Sequence, residues 1–271
     1  MKKARVNQIS GAQLACLIIV FRFSTLMLSR SVSYTQYFVQ IITTAVLSFF
    51  VYCLYKKGAV IKNNALFYAA CTILGAVVSL DIMQYFGFTT GVGSSNVPVW
   101  IIALLLGALT LYSGVLGIEA VSRFSVLAVI TSGLFLLALA VTDLPLTRWE
   151  LFICPQSERI NIWSVIKCVD VPLLFLLIAP DTSKNQGSAL LFGTGAAYAA
   201  DAMIIVLCRA VLGKTAGIYS SPVFALFQLA EAGDFNKLDV MYVTIILLLL
   251  FCEISLVVSL FARRIKKQVK K

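Results

Sequence analysis

Four charged residues fall near the middle of long apolar stretches: Arg22, Asp170, Asp201 and Glu253. On insertion scales each costs about 2.5–3.5 kcal/mol in hydrocarbon, so such groups pair, face protein or hold a ligand. Arg22 could take a carboxylate through two parallel hydrogen bonds. Asp170 could take an ammonium, and the two together would suit a zwitterion. If their helices touch, they could instead neutralise each other. Pro172, two residues after Asp170, lacks a backbone donor and frees a carbonyl. A ligand, a water or a neighbouring helix must then satisfy that carbonyl. Ser24 and Thr25 add hydroxyls just after Arg22. Asp201 and Glu253 are candidates for proton-linked or pore-lining acids, or for neutral groups hydrogen-bonded inside a bundle. Other chemistry is closed. The chain has no histidine, which excludes a Ser-His-Asp triad and an H-E-x-x-H zinc site. None of the seven cysteines forms a C-x-x-C pair, which leaves metal and dithiol chemistry without support. No cofactor is implied, no metal site is expected, and an enzyme is not expected.

The elements that must position these groups are membrane spans. Hydrophobic residues make up 60% of the 271, charged residues only 13%, and the mean hydropathy is +0.95. A soluble domain carries about 25% charged residues. So much apolar surface needs lipid as its solvent. About eight runs can cross a bilayer: 9–28, 35–55, 64–86, 97–116, 119–141, 163–180, 188–212 and 239–262. The net charge of +10 sits mainly in the tails and one loop, so it marks orientation and not nucleic-acid binding. With the N-terminus inside, the inner segments hold fourteen Lys and Arg against six outside, which places both termini in the cytoplasm. A short helix over 222–232 is expected to lie at the outer interface, with Ser221 as cap, Pro222 at its first position and Gly233 ending it. Small residues from Gly193 to Ala202 let the seventh run pack closely on a neighbour. The expected fold is all-α, a single integral membrane domain over 1–271.

Three stretches carry a family resemblance. They are Ile9-Ser10-Gly11-Ala12-Gln13-Leu14 before run 1, Tyr112-Ser113-Gly114-Val115-Leu116-Gly117-Ile118-Glu119-Ala120-Val121-Ser122-Arg123 between runs 4 and 5, and Pro222-Val223-Phe224 through Gly233-Asp234-Phe235-Asn236-Lys237-Leu238-Asp239 leading into run 8. In this order the chain resembles the spore germination receptor B-subunit family, permease-like proteins of the amino acid–polyamine–organocation superfamily. The resemblance implies a fold related to the ten-helix inverted-repeat permease. It implies a small germinant, such as an amino acid, bound between broken helices 1 and 6. Matched by position, that zone is Phe21, Arg22, Phe23, Ser24 and Thr25 with Asp170, Val171 and Pro172. It also implies A-type and lipoprotein C-type subunits as partners in the spore inner membrane or cell membrane. The chain departs from the family in three places, one of them a shortened region around run 3. It stops after run 8, and it carries Phe-Arg-Phe where a small glycine is common in helix 1. Glu119 and Arg123 match the family's inner turn, and at a spacing of four they can pair on one helix face. The reading is a germinant-sensing or germinant-transporting subunit. Its rivals are a degenerate permease acting as an assembly scaffold and a water or ion pore within the receptor complex.

Overall fold

A computed structural model describes residues 9–29, 33–57, 64–92, 99–148, 150, 166–182, 186–217, 219, 221–230 and 238–269. Nine α-helices are described: α1 Gly11–Met27, α2 Tyr34–Lys56, α3 Asn64–Val92, α4 Val99–Leu116, α5 Ile118–Asp143, α6 Asp170–Ile178, α7 Gln186–Leu212, α8 Pro222–Leu229 and α9 Leu238–Val269. Short 3-10 turns flank several of them, and strands are absent among the described residues.

The solvent of this bundle is legible in α2. Its buried residues are Gln36, Gln40, Thr44 and Ser48, one polar stripe at a spacing of four. Its exposed residues include Phe38 (59%), Ile42 (62%) and Phe49 (71%). A helix in water turns its apolar face inward; this one is inverted. α5 repeats the pattern, burying Ser122, Ser125, Ser132 and Asp143 while exposing Leu127, Ile130, Leu134 and Leu137. Hydrocarbon is the solvent that rewards this arrangement, since polar groups then find partners only inside. Among the described residues, five helices are long and apolar enough to cross a membrane: Tyr34–Lys56, Asn64–Thr89, Ile118–Leu146, Gln186–Ala216 and Val240–Lys266. Two shorter apolar helices, Gly11–Met27 and Ile101–Leu116, join them. The chain is a multi-pass, all-α membrane bundle.

At its centre stands α1. Ser10 and Gln13 close a reciprocal capping box at its start, at 3.2 and 2.9 Å. Every residue from Val20 to Met27 is buried, which requires neighbours on all sides. These are α7, α5, α9 and α6. Where α1 meets α7 the backbones nearly touch. A Cβ built on Gly193 would stand 2.9 Å from the Ala15 carbonyl oxygen and 3.0 Å from its Cα. Gly193→Ala is therefore expected to lower stability by about 1–3 kcal/mol, because backbone cannot yield as a side chain would. Gly195 has nothing within 4 Å of a built Cβ, and Gly195→Ala should be neutral or stabilising. Thermal unfolding of the two variants in detergent checks the contrast.

Three expectations need correcting. The resemblance implied a broken helix 1, yet α1 is one continuous α-helix through Arg22, Ser24 and Thr25. It contains no internal glycine or proline that would free a carbonyl. The irregularity in run 6 also lies before Pro172 and not after it: helical backbone at Ile166 passes through a 3-10 turn, Lys167–Val169, into α6 at Asp170, which puts Pro172 at the third position of that α-helix. The first part of the run expected over 163–180 lies outside the described residues. Finally, the outer helix does not lie flat on the interface. α8 ends at Leu229, and Pro222 through Phe227 are buried. The Phe224 ring meets Phe88 at 4.8 Å and Tyr242 at 5.3 Å, and Phe227 meets Tyr242 at 5.2 Å. Six adjacent buried residues dock the first part of this helix into the bundle against α7 and α9, and only Gln228 and Leu229 at its end are exposed. Residues 231–232 lie outside the described set.

Candidate functional site

The ends of α1 and α6 meet where Ile9 and Thr182 form an isolated backbone bridge. Arg22 lies thirteen residues from Ile9, and Asp170 twelve from Thr182. At 1.5 Å per residue both stand about 18–20 Å from that common level. The two therefore stand at a similar depth. Depth alone did not choose the partner. Arg22 Nε lies 3.3 Å from Asp201 Oδ2 on α7, with both side chains buried. Its Nη2 donates to Gln40 Oε1 on α2, and its guanidinium sits 4.8 Å over the Tyr198 ring. The Arg22 pair expected with Asp170 is replaced by one with Asp201. The physical reason is contact: α1 packs along α7 at the Gly193 seam, which brings Asp201 and Tyr198 against Arg22.

Tyr198 fixes this side of the site. Its hydroxyl donates to the Gln40 carbonyl (3.0 Å) and is hydrogen-bonded to the Thr44 hydroxyl (2.6 Å), while the Tyr37 hydroxyl donates to the Tyr198 carbonyl (2.6 Å). Gln40 and Thr44 belong to the inward stripe of α2. Thus α1, α2 and α7 share one dry polar layer around the guanidinium. A cation desolvated against a ring is held more firmly than one in water.

Asp170 stands across from this layer. Its Oδ1 accepts from the Val171 backbone N–H at 2.5 Å, and its Oδ2 makes no hydrogen bond. It is close enough to Arg22 to feel its charge, but the two share no ion pair. Arg22 Nη1 likewise makes no hydrogen bond. The buried atoms here without a hydrogen bond thus include Arg22 Nη1 on α1 and Asp170 Oδ2 on α6, together with Asp201 Oδ1 on α7 and Glu253 Oε2 on α9.

A second buried pair lies beside it. Lys167 Nζ donates to Asp81 Oδ1, and to Gln84 Oε1 at 2.9 Å, both on α3. On α9, Glu253 accepts from the Ser24 hydroxyl through Oε1, and its Oε2 makes no hydrogen bond. Glu253 feels the charges of Asp81, Asp170 and Lys167. This interior brings together Arg22, Ser24, Asp170, Asp201 and Glu253 of the residues singled out from sequence. Thr25 instead returns its hydroxyl to the Phe21 carbonyl at 3.2 Å. Phe21 and Val171 fall in one apolar cluster, and Phe23 in the other, toward α7, α8 and α9. Pro172 is buried beside Val171. Glu119 and Arg123 pair as expected at 2.5 Å, on an exposed face away from the interior.

Sequence reasoning missed Asp81, Gln40 and Tyr198. Asp81 is a carboxylate inside an apolar run, and it was visible on the same ground as the other four. Gln36, Gln40, Thr44 and Ser48 were visible as a polar stripe within a hydrophobic run. Nothing in the sequence marks Tyr198. No protein-family model matches the chain, and no curated protein matches it. Cys16, Cys53, Cys71, Cys168, Cys208 and Cys252 are free thiols, and among the described residues no group of His, Cys, Asp and Glu could hold a metal ion.

Proposed function

We propose that this protein holds a small zwitterionic solute, such as an amino acid, at mid-membrane between α1 and α6. On that reading it is a permease-like B-type subunit of a spore germinant receptor, sensing or transporting the germinant, with both termini cytoplasmic. A-type and lipoprotein C-type subunits would be its partners. The observation that carries the ligand class is the open pair, Arg22 Nη1 and Asp170 Oδ2, both buried and both without a hydrogen bond. Buried charged groups that lack partners are expensive, and they are worth keeping where a ligand completes them. A ligand carboxylate answers Nη1, and a ligand ammonium answers Oδ2. The charge count agrees. Among the described residues five acids, Asp81, Asp143, Asp170, Asp201 and Glu253, are buried with three cations, Arg22, Lys167 and Arg209. Neutrality needs further positive charge, which an ammonium group or protons supply. The receptor assignment itself rests on the three sequence stretches.

Asp170→Asn tests the ligand site. It keeps the shape and the Val171 contact but removes the charge. Saturable binding of at least one amino acid by the purified wild-type protein is expected, weakened about 10²-fold or more in this variant. Unchanged affinity in Asp170→Asn removes Asp170 from the site. Absence of binding across all amino acids, together with co-purification of an A-type subunit, would favour the scaffold reading. That rival has its own support, since Asp201, Gln40 and Tyr198 already hold Arg22.

A further inference from the structure

A cavity of about 250 Å³ opens at one end of the bundle, between the α4–α5 turn and the last turns of α9. It lies about where α9 passes from apolar to basic sequence. Ser259, Arg263 and Lys266 line it from α9, and Gly117 and Ile118 line it from the turn. Ser259 and Arg263 are four residues apart and Lys266 three further on, so all three share one helix face. Gly117 has φ +95°, a conformation glycine adopts without strain, and it caps α5 with no side-chain hydrogen bond. Gly117 and Ile118 thus border the cavity at the positive, N-terminal end of a 26-residue helix. At the α4 end that shares the turn, the Ser113 carbonyl accepts from Gly117 N–H at 3.0 Å. The one acid nearby, Glu119, is committed to Arg123.

A second observation points to a ligand. Ser259 is 1% exposed, lines the cavity, and its hydroxyl makes no hydrogen bond. Hydroxyl, guanidinium, ammonium and helix N–H groups together form a donor set for a phosphate. The adjacent Arg264 turns elsewhere, toward Asn64 and 4.9 Å over the Phe67 ring. The rim decides which phosphate. Val115 (71% exposed) and Leu116 (56%) border the cavity on the lipid-facing surface. An acyl chain could lie along them while its headgroup sits inside.

We propose that this cavity is a binding site for the phosphate of an anionic phospholipid, seated on Ser259, Arg263, Lys266 and the α5 N-terminus. Native mass spectrometry of the full-length protein, titrated with phosphatidylglycerol or phosphatidylcholine, reads it directly. One retained phosphatidylglycerol is expected, with phosphatidylcholine held about tenfold or more weakly. Lys266→Gln, an exposed substitution that leaves the fold alone, and Ser259→Ala should each weaken phosphatidylglycerol retention several-fold. Lys56→Gln on α2 should not. Equal retention of the two lipids, or equal loss in Lys56→Gln and Lys266→Gln, would show a diffuse charge effect and overturn the site. Displacement of the lipid by millimolar inorganic phosphate would show a soluble-phosphate site and overturn the lipid assignment.

Discussion

Arg22→Leu will destabilise the bundle by about 3–5 kcal/mol, among the largest effects expected of any single substitution here. The loss does not measure the strength of the Arg22–Asp201 pair. It arises because Asp201 is left as an uncompensated charge in a dry interior, with Gln40 and Tyr198 losing their partner too. The double variant Arg22→Leu/Asp201→Leu should recover most of that stability, since two apolar side chains replace a buried pair at little net cost. Unfolding midpoints of the two single variants and the double variant form a cycle whose coupling term should be large. Additive losses would mean that the two groups do not depend on each other. The same double variant separates fold from function. It should be inserted and stable but bind no zwitterion, because Nη1 is gone. Retained binding in the stable double variant would place the ligand elsewhere.

Lys167→Met is the second large effect. Lys167 comes just before α6 and reaches Asp81 and Gln84 on α3. Its removal strands the Asp81 carboxylate, again about 3–5 kcal/mol. The consequence should be local as well as global. α6 is a short nine-residue helix, and its docking on α3 depends on this pair. Cys168, adjacent to Lys167 and fully buried as a free thiol, reports the opening. Its labelling rate by a thiol reagent should rise by about 10²- to 10³-fold or more in Lys167→Met, since local opening follows the lost free energy. Lys167→Met/Asp81→Asn should return labelling toward the wild-type rate. Unaltered Cys168 labelling in Lys167→Met would show that the pair does not hold α6 in place.

The interior reads as two neighbouring layers. One, on α1, α2 and α7, is closed around Arg22. The other, on α3, α6 and α9, carries more acid than base. Ser24 lies where the two layers meet, since it stands on α1 and donates to Glu253 on α9. A solute bound there would touch both layers. It could then bias how α6 sits against α1, which gives either sensing or transport a physical lever.

Composition alone determined the solvent of this chain. Burial of the Gln36–Gln40–Thr44–Ser48 stripe and exposure of Phe38, Ile42 and Phe49 express the same apolar excess in three dimensions. The cost of charge in hydrocarbon also marked Arg22, Asp170, Asp201 and Glu253 as interior groups, because that penalty acts on a residue whatever its neighbours are. Only tertiary structure decided the partners. Depth in the membrane follows from counting residues along a helix, and it placed Arg22 level with Asp170. Which group an arginine meets depends on how each helix is rotated and which helices touch, and the close approach at Gly193 turned Arg22 toward Asp201. Likewise Pro172 marked an irregular stretch of run 6, and only the structure put that irregularity in the 3-10 turn Lys167–Val169 just before it.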